Sequence, residues 1–358
     1  MSPKYPTQKE TLSHPAYPTA IFRLRPRLSG LCPVATTRPN GPLQIGYSIH
    51  GTGPIKLVFI MGLAGTQISW QRQTLHFGHV NAAKYSILTI DNRGMGVSSA
   101  PLARYSTSEM AHDVLELLDF LSWTSPRSVH LVGISLGGMI SQELCIHSPS
   151  RFASVSFIST AAEMANTGGL SEGLGRMSML VPKSLDQTLL DTSKELFPPS
   201  WLQAEDACLL PDPSKHPDVD PPASSKEGET VGKEYLRFES NFQRWQAQEL
   251  HKRLSPSFTK TGFLMQLIAA GWHKKTPAQL KEMADRIGRE RILVFHGLDD
   301  EMINPVLGRR LAEAVKPGKE IFEEGLGHAA PVQAAEWFNE MLEKHFAQGE
   351  RINQEMAV

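Results

Sequence analysis

The sequence predicts an α/β fold: a mostly parallel central sheet flanked by helices, with a mainly helical cap inserted into it. Three observations predict it. From residue 43 onward, strand-like and helix-like patterns alternate, the rhythm of a parallel sheet covered on both faces. The run Val129-His130-Leu131-Val132-Gly133-Ile134-Ser135-Leu136-Gly137-Gly138-Met139 passes from an apolar β-branched stretch through Gly-x-Ser-x-Gly into a helix-forming stretch. The rhythm stops at about residue 162 and resumes near residue 286.

Taken in order, Leu43-Gln44-Ile45-Gly46-Tyr47-Ser48-Ile49-His50 alternates large apolar with small or polar residues, the period of a half-buried strand. It ends at the turn cluster Gly51-Thr52-Gly53-Pro54. Residues 56–61 form a short, largely continuous apolar run, as a strand buried on both faces requires. Residues 85–91 form another, with a polar-aromatic crossover between them. Residues 108–121 carry Met110, Val114, Leu115, Leu117, Leu118 and Leu121 at helical spacing. A strand at 128–133, a helix at 136–147 and a strand at 153–158 follow. After the break come a strand at 291–297, a helix at 305–315, a strand at 320–325 and a closing amphipathic helix at 331–346. The expected organisation is an arm (1–40), a first core segment (41–161), a cap (162–285) and a second core segment (286–358).

Within the interruption, residues 198–232 hold Pro198-Pro199, Pro211, Pro213, Pro217 and Pro221-Pro222, then Ser224-Ser225-Lys226-Glu227-Gly228-Glu229. That composition suits a mobile loop. The flanks carry Trp201, Phe242, Trp245, Phe258, Phe263, Met265 and Trp272. Such residues build the cap's own core, and some of them can also face a ligand. Trp245 and Met265 are the candidates for that second role.

The chain is 41% hydrophobic and 20% charged over 358 residues, an ordinary globular composition. A net charge of -1 gives no electrostatic footprint for nucleic acid or an anionic membrane surface. The sequence contains no apolar run long enough to span a bilayer. Cys32, Cys145 and Cys208 are far apart and form no disulfide framework, which points to a reducing compartment. Residues 1–40 set Lys4, Lys9, Arg23, Arg25, Arg27 and Arg38 against Glu10. This basic start is compatible with mitochondrial import, but its prolines argue against an amphipathic targeting helix. A flexible arm on a cytoplasmic protein is the expectation. No glycine-rich phosphate cradle is visible, so no nucleotide cofactor is expected. His76 and His79 imply no third metal ligand, so no metal is expected.

A serine hydroxyl is a weak nucleophile at neutral pH. It needs a base within hydrogen-bond reach, and that base needs an orienting partner. In an α/β sheet such groups converge at the carboxyl ends of the strands. Ser135 stands at one such end. Acid candidates stand at another, in Gly297-Leu298-Asp299-Asp300-Glu301. A base candidate, His328, stands at a third, in Gly325-Leu326-Gly327-His328-Ala329. Gly-x-Ser-x-Gly alone should arise by chance about 0.1 times in a chain this long. The order Ser, Asp, His, each just after a strand, is what lifts it above chance.

That order resembles the α/β-hydrolase superfamily, in its capped esterase and epoxide-hydrolase-like branch, over roughly residues 40–347. The resemblance implies Ser135 as nucleophile, His328 as base and Asp300 as orienting acid. The family usually places the acid three residues after the strand-ending glycine; Asp299 stays open, and Glu163 is a weaker third candidate. It also implies an oxyanion hole from the N–H of Leu136 and an N–H of the loop after the 56–61 strand. That loop reads Met61-Gly62-Leu63-Ala64-Gly65 here, where relatives often have His-Gly, so Leu63 becomes the second donor and Gly62 a substrate neighbour. Asp91-Asn92-Arg93-Gly94-Met95-Gly96-Val97-Ser98-Ser99 resembles a further landmark whose Asp91 and Arg93 fix the loop beside the site. A serine rather than an aspartate nucleophile separates the chain from dehalogenases and epoxide hydrolases of this fold.

The expected partner is a hydrophobic small-molecule ester, lactone or thioester. Same-fold C–C bond hydrolases, acyltransferases and non-catalytic ligand receptors share these residues and stay open as alternatives.

Overall fold

In the computed structural model, which describes residues 5–164, 183–222 and 234–357, the alternating patterns become one eight-stranded sheet. Its strands are β1 (Leu28–Val34), β2 (Leu43–His50), β3 (Ile55–Ile60), β4 (Tyr85–Ile90), β5 (Val129–Ile134), β6 (Phe152–Ile158), β7 (Ile292–Gly297) and β8 (Lys319–Glu323). Their spatial order is β1-β2-β4-β3-β5-β6-β7-β8. The β1–β2 and β2–β4 pairs are antiparallel and the rest parallel. Every residue of β4, β5, β6 and β7 is buried, which is why these segments read as continuous apolar runs.

The helices in chain order are α1 (Gln8–Leu12), α2 (Gln71–Leu75), α3 (Thr107–Phe120), α4 (Leu136–His147), α5 (Leu185–Leu196), α6 (Pro199–Gln203), α7 (Asn241–Arg253), α8 (Lys260–Trp272), α9 (Pro277–Ile287), α10 (Pro305–Val315), α11 (Ala330–Gln333) and α12 (Ala335–Ala357). Strand pleating divides the core in two. Val58, Leu131 and Val294 face a cluster with Leu117, Met139, Leu144, Met283 and Leu311, from α3, α4, α9 and α10. Their neighbours Leu57, Val132 and Phe295 face the other way, onto Phe338, Leu342 and Phe346 of α12.

Two expected boundaries move. The sheet begins at β1, inside the segment expected as an arm, because residues 28–34 pair with β2 from Leu28↔Ile49 to Val34↔Leu43. Residues 5–22 are likewise packed rather than free. Tyr5 and Tyr17 lie against the cap cluster, Tyr17 stacks on His251 at 4.2 Å, and Gln8 N donates to Asp186 Oδ1 at 2.6 Å. At the other end, α9 was expected within the cap. It belongs to the core, since Leu280, Met283, Ala284 and Ile287 pack with α4 and α10.

The cap centres on Leu189, Phe197, Leu202, Phe242, Trp245 and Leu250. The stretch expected as a mobile loop is anchored where described. Asp206 Oδ2 accepts from Arg244 Nε at 2.6 Å with both side chains buried, and Val219 bridges to Leu24. The Ser224–Glu229 stretch lies outside the described residues, as do residues 165–182 of the expected cap. Among the described residues no helix is long and apolar enough to cross a membrane. The three cysteines are free, and Cys145 is fully buried in α4.

Candidate active site

Ser135 occupies the turn between β5 and α4 with φ +56° and ψ -123°, a strained backbone for a residue with a side chain. The turn is held from both sides. Ser135 N donates to Ile158 O at 3.0 Å, and Ser135 O accepts from Gly138 N at 2.9 Å and Thr160 Oγ1 at 2.7 Å. The flanking glycines are required by close approach. A Cβ at Gly133 would stand 2.3 Å from Gly137 O, and one at Gly137 would stand 2.2 Å from Ile60 O. Leu136 is the first residue of α4, so its N–H has no intrahelical acceptor and points with the positive end of the helix dipole.

The loop after β3 passes directly against the serine. A Cβ on Gly62 would lie 2.9 Å from Ser135 Cβ and 3.4 Å from its Oγ. The loop is fixed by three bonds: Gly65 N to Gly62 O at 3.1 Å, Asn92 Nδ2 to Met61 O at 2.9 Å, and Ala64 N to Gln266 Oε1 at 3.0 Å. Leu63 therefore sits in a backbone segment tied down on both sides. Gln266 comes from cap helix α8 and is fully buried, and its Nε2 donates to Arg93 O at 2.9 Å. One cap side chain thus ties the Gly62–Gly65 turn to the Asp91–Ser99 loop. That second loop is fixed as the sequence suggests. Asp91 accepts from Gln67 N at 2.8 Å and Val97 N at 3.1 Å, and Arg93 makes a bidentate pair with buried Asp113.

His328 follows β8 and is buried. Its Nδ1 lies 2.7 Å from Asp300 Oδ2. Asp300 follows β7, and its Oδ1 accepts from Met302 N at 2.9 Å and Ile303 N at 2.8 Å. A second imidazole, His296 Nε2, lies 2.9 Å from Asp300 Oδ2 and 2.9 Å from Ile303 O. Burial alone would raise the Asp300 carboxyl. His328 and His296 together outweigh it and hold the group below the usual aspartate range. Asp300 is therefore an ionised, fully satisfied acceptor that fixes the His328 ring.

The other acid candidates are elsewhere. Asp299 points to solvent, and Glu163 pairs with Lys274 Nζ at 2.9 Å. Trp245 is enclosed in the cap's own core, against Phe197 and Phe242. Met265 is half-buried and packs on the main core beside Gln266. His79 pairs with His50 at 3.0 Å, His76 lies 3.1 Å from Glu343, and no three such side chains are arranged to hold a metal among the described residues. Sequence reasoning missed His296 and Gln266. His296 left a trace, as a polar residue inside an otherwise apolar buried strand.

A strained serine at a helix N-terminus, two fixed loops and a carboxylate-oriented imidazole at the strand ends of an antiparallel-then-parallel sheet define a member of the α/β-hydrolase fold. The family's sequence profile, described as alpha/beta hydrolase fold, matches residues 56–335, and the chain belongs to that family. Among similar proteins, 3-oxoadipate enol-lactonase 2 of Acinetobacter baylyi is 35% identical over 123 residues, which is 34% of this chain and 43% of the lactonase. The match thus spans less than half of that relative's length. A thermophilic esterase of Thermogutta terrifontis superposes with a TM-score of 0.64 at 16% identity, covering 89% of this chain and 99% of the esterase. A meta-cleavage product hydrolase of Pseudomonas fluorescens gives 0.60 at 15% identity, covering 86% and 95%. Both superpositions speak to the fold.

Proposed function

We propose that this protein is a serine hydrolase that cleaves a carboxylic ester, lactone or thioester of a hydrophobic small molecule. The observation that carries the proposal is a strained Ser135, with Gly62 packed on it, and a His328 ring held by buried Asp300, each just after a parallel strand of one sheet. In this reading Ser135 Oγ attacks the carbonyl carbon while His328 Nε2 takes its proton. The oxyanion is bound by the N–H groups of Leu136 and Leu63, with each such donor contributing about 3–4 kcal/mol to the transition state. The tetrahedral adduct collapses, and His328 returns the proton to the departing oxygen or sulfur. Water, deprotonated by His328, then attacks the acyl-Ser135 ester and releases the acid. Asp300 keeps the Nδ1 proton in place and stabilises the imidazolium.

Kinship with an enol-lactonase supports lactones as well as open esters. The apolar cap beside Ala329 supports a hydrophobic substrate. A panel of 4-nitrophenyl esters from acetate to decanoate, with aromatic esters and γ-lactones, tests this reading. Hydrolysis of the larger apolar members above acetate is expected. Preference for acetate would overturn the substrate class, and no turnover of any member would overturn the activity.

A further inference from the structure

The cap meets the base at the end of α5. Leu196 O accepts from Ala329 N at 3.3 Å. A Cβ on Gly327 would stand 2.4 Å from Leu196 O and 3.1 Å from Phe197 Cα, so the two backbones are in contact on both sides of His328. Phe197 turns into the cap core. Glu195, the residue before this contact, is half-buried and interacts electrostatically with His328.

The charged groups around Glu195 are Asp191, one turn earlier on α5, Lys183 and His328. Lys183 is already committed, with its Nζ 2.7 Å from Asp191 Oδ2. Glu195 thus stands one residue from the backbone contact between α5 and the His328 loop, with no ion-pair partner among the described residues. Burial, with Asp191 adding to it, pushes its carboxyl up to about 7. A half-buried carboxylate in that position gains from any ligand group that supplies positive charge or a donor.

We propose that Glu195 is the cap's specificity determinant, favouring substrates whose departing alcohol or thiol carries a cation or hydrogen-bond donor. This rests on the serine-hydrolase reading. There His328 hands its proton to the leaving atom, so the leaving group lies along the His328 loop, where α5 brings Glu195. Anionic leaving groups are disfavoured by the same charge.

The test uses the full-length protein and two thioesters that differ in charge alone: acetylthiocholine and its neutral isostere, 3,3-dimethylbutyl thioacetate. The ratio of their kcat/KM values cancels every pH effect on the catalytic groups that the two substrates share. In the wild type this ratio is expected to rise severalfold between pH 6 and pH 8 as Glu195 ionises. In Glu195→Gln it is expected to be flat and about tenfold lower at pH 8. A general structural role would not produce a charge-selective, pH-dependent ratio. A flat wild-type ratio, or an unchanged slope in Glu195→Gln, overturns the proposal.

If neither thioester turns over, choline and 3,3-dimethylbutan-1-ol are compared at pH 8 as protectants of Ser135 against a fluorophosphonate. Stronger protection by choline, lost in Glu195→Gln, supports the proposal; equal protection overturns it. Failure of the underlying reading looks different: the wild type would then label no better than Ser135→Ala, and the Glu195 proposal would fall with it.

Discussion

Replacing Asp300 with Asn keeps the shape of the side chain and changes which hydrogen bonds it can make. The carboxylate accepts from four donors: Met302 N, Ile303 N, His328 Nδ1 and His296 Nε2. An amide offers one oxygen and one NH2 group. If the NH2 faces the histidines, His328 must present a bare Nδ1, and its proton moves to Nε2. The ring then cannot accept a proton from Ser135, and loss of the correct tautomer costs about 10⁴ in kcat, or about 5.4 kcal/mol of transition-state stabilisation. If the NH2 instead faces Met302 N and Ile303 N, a part-buried and a buried donor lose their acceptor, at about 1–3 kcal/mol for the buried one. The first orientation appears as a kcat loss with a modest Tm change, the second as a large Tm loss. Initial rates on a 4-nitrophenyl ester together with thermal melts separate them. Asp299→Asn is the control, because Asp299 is exposed and should stay within twofold of the wild type. If Asp300→Asn kept kcat within tenfold at wild-type Tm, or if Asp299→Asn lost activity instead, the role of Asp300 would be wrong.

Three further outcomes are expected. Gly62→Ala places a methyl group 2.9 Å from Ser135 Cβ, so the loop or the turn must shift by a few tenths of an ångström; kcat should fall by about 10²-fold with a small change in Tm, read by steady-state kinetics. Gln266→Leu leaves Ala64 N and Arg93 O without partners in a buried setting, which should lower stability by about 2–4 kcal/mol in urea melts and lower kcat; Gln266→Glu should restore the acceptor alone and recover part of both. The folded-state pKa of Glu195 lies near 7, above its ordinary 4.5, so the folded protein holds a proton that the unfolded chain has lost between those values. Its stabilising protonation is present below pH 4.5 and is lost as pH rises to 7. The Tm of Glu195→Gln relative to the wild type should therefore increase from pH 5 to pH 8, and parallel curves would contradict it.

Strands β4 to β7 were legible because every residue of each is buried and the runs show their apolarity in sequence. Strand β1 was not. Leu28, Ser29, Gly30 and Leu31 are exposed, Pro33 interrupts the run, and an edge strand of this kind carries no continuous or alternating pattern. Helix α9 looked like cap because it follows the cap in sequence; its amphipathic face, led by Leu280, Met283 and Ile287, carries no label for the layer it joins. The strand ends and the order of Ser135, Asp300 and His328 were readable. Between Asp299 and Asp300 only the family resemblance favoured Asp300; the residues alone left both open, since one residue of chain direction decides which carboxylate turns inward. Gln266 was invisible for a similar reason. Its two partners lie about 170 and 200 residues away, and only the folded cap brings them together.

The central claim is that Ser135 forms a covalent intermediate with His328 as its base. A fluorophosphonate probe followed by intact-mass and peptide mass spectrometry tests it most directly. One probe adduct on the peptide that holds Ser135 is expected, absent in Ser135→Ala and slowed by orders of magnitude in His328→Ala. An adduct of equal extent in Ser135→Ala, or on a different residue, would contradict the account.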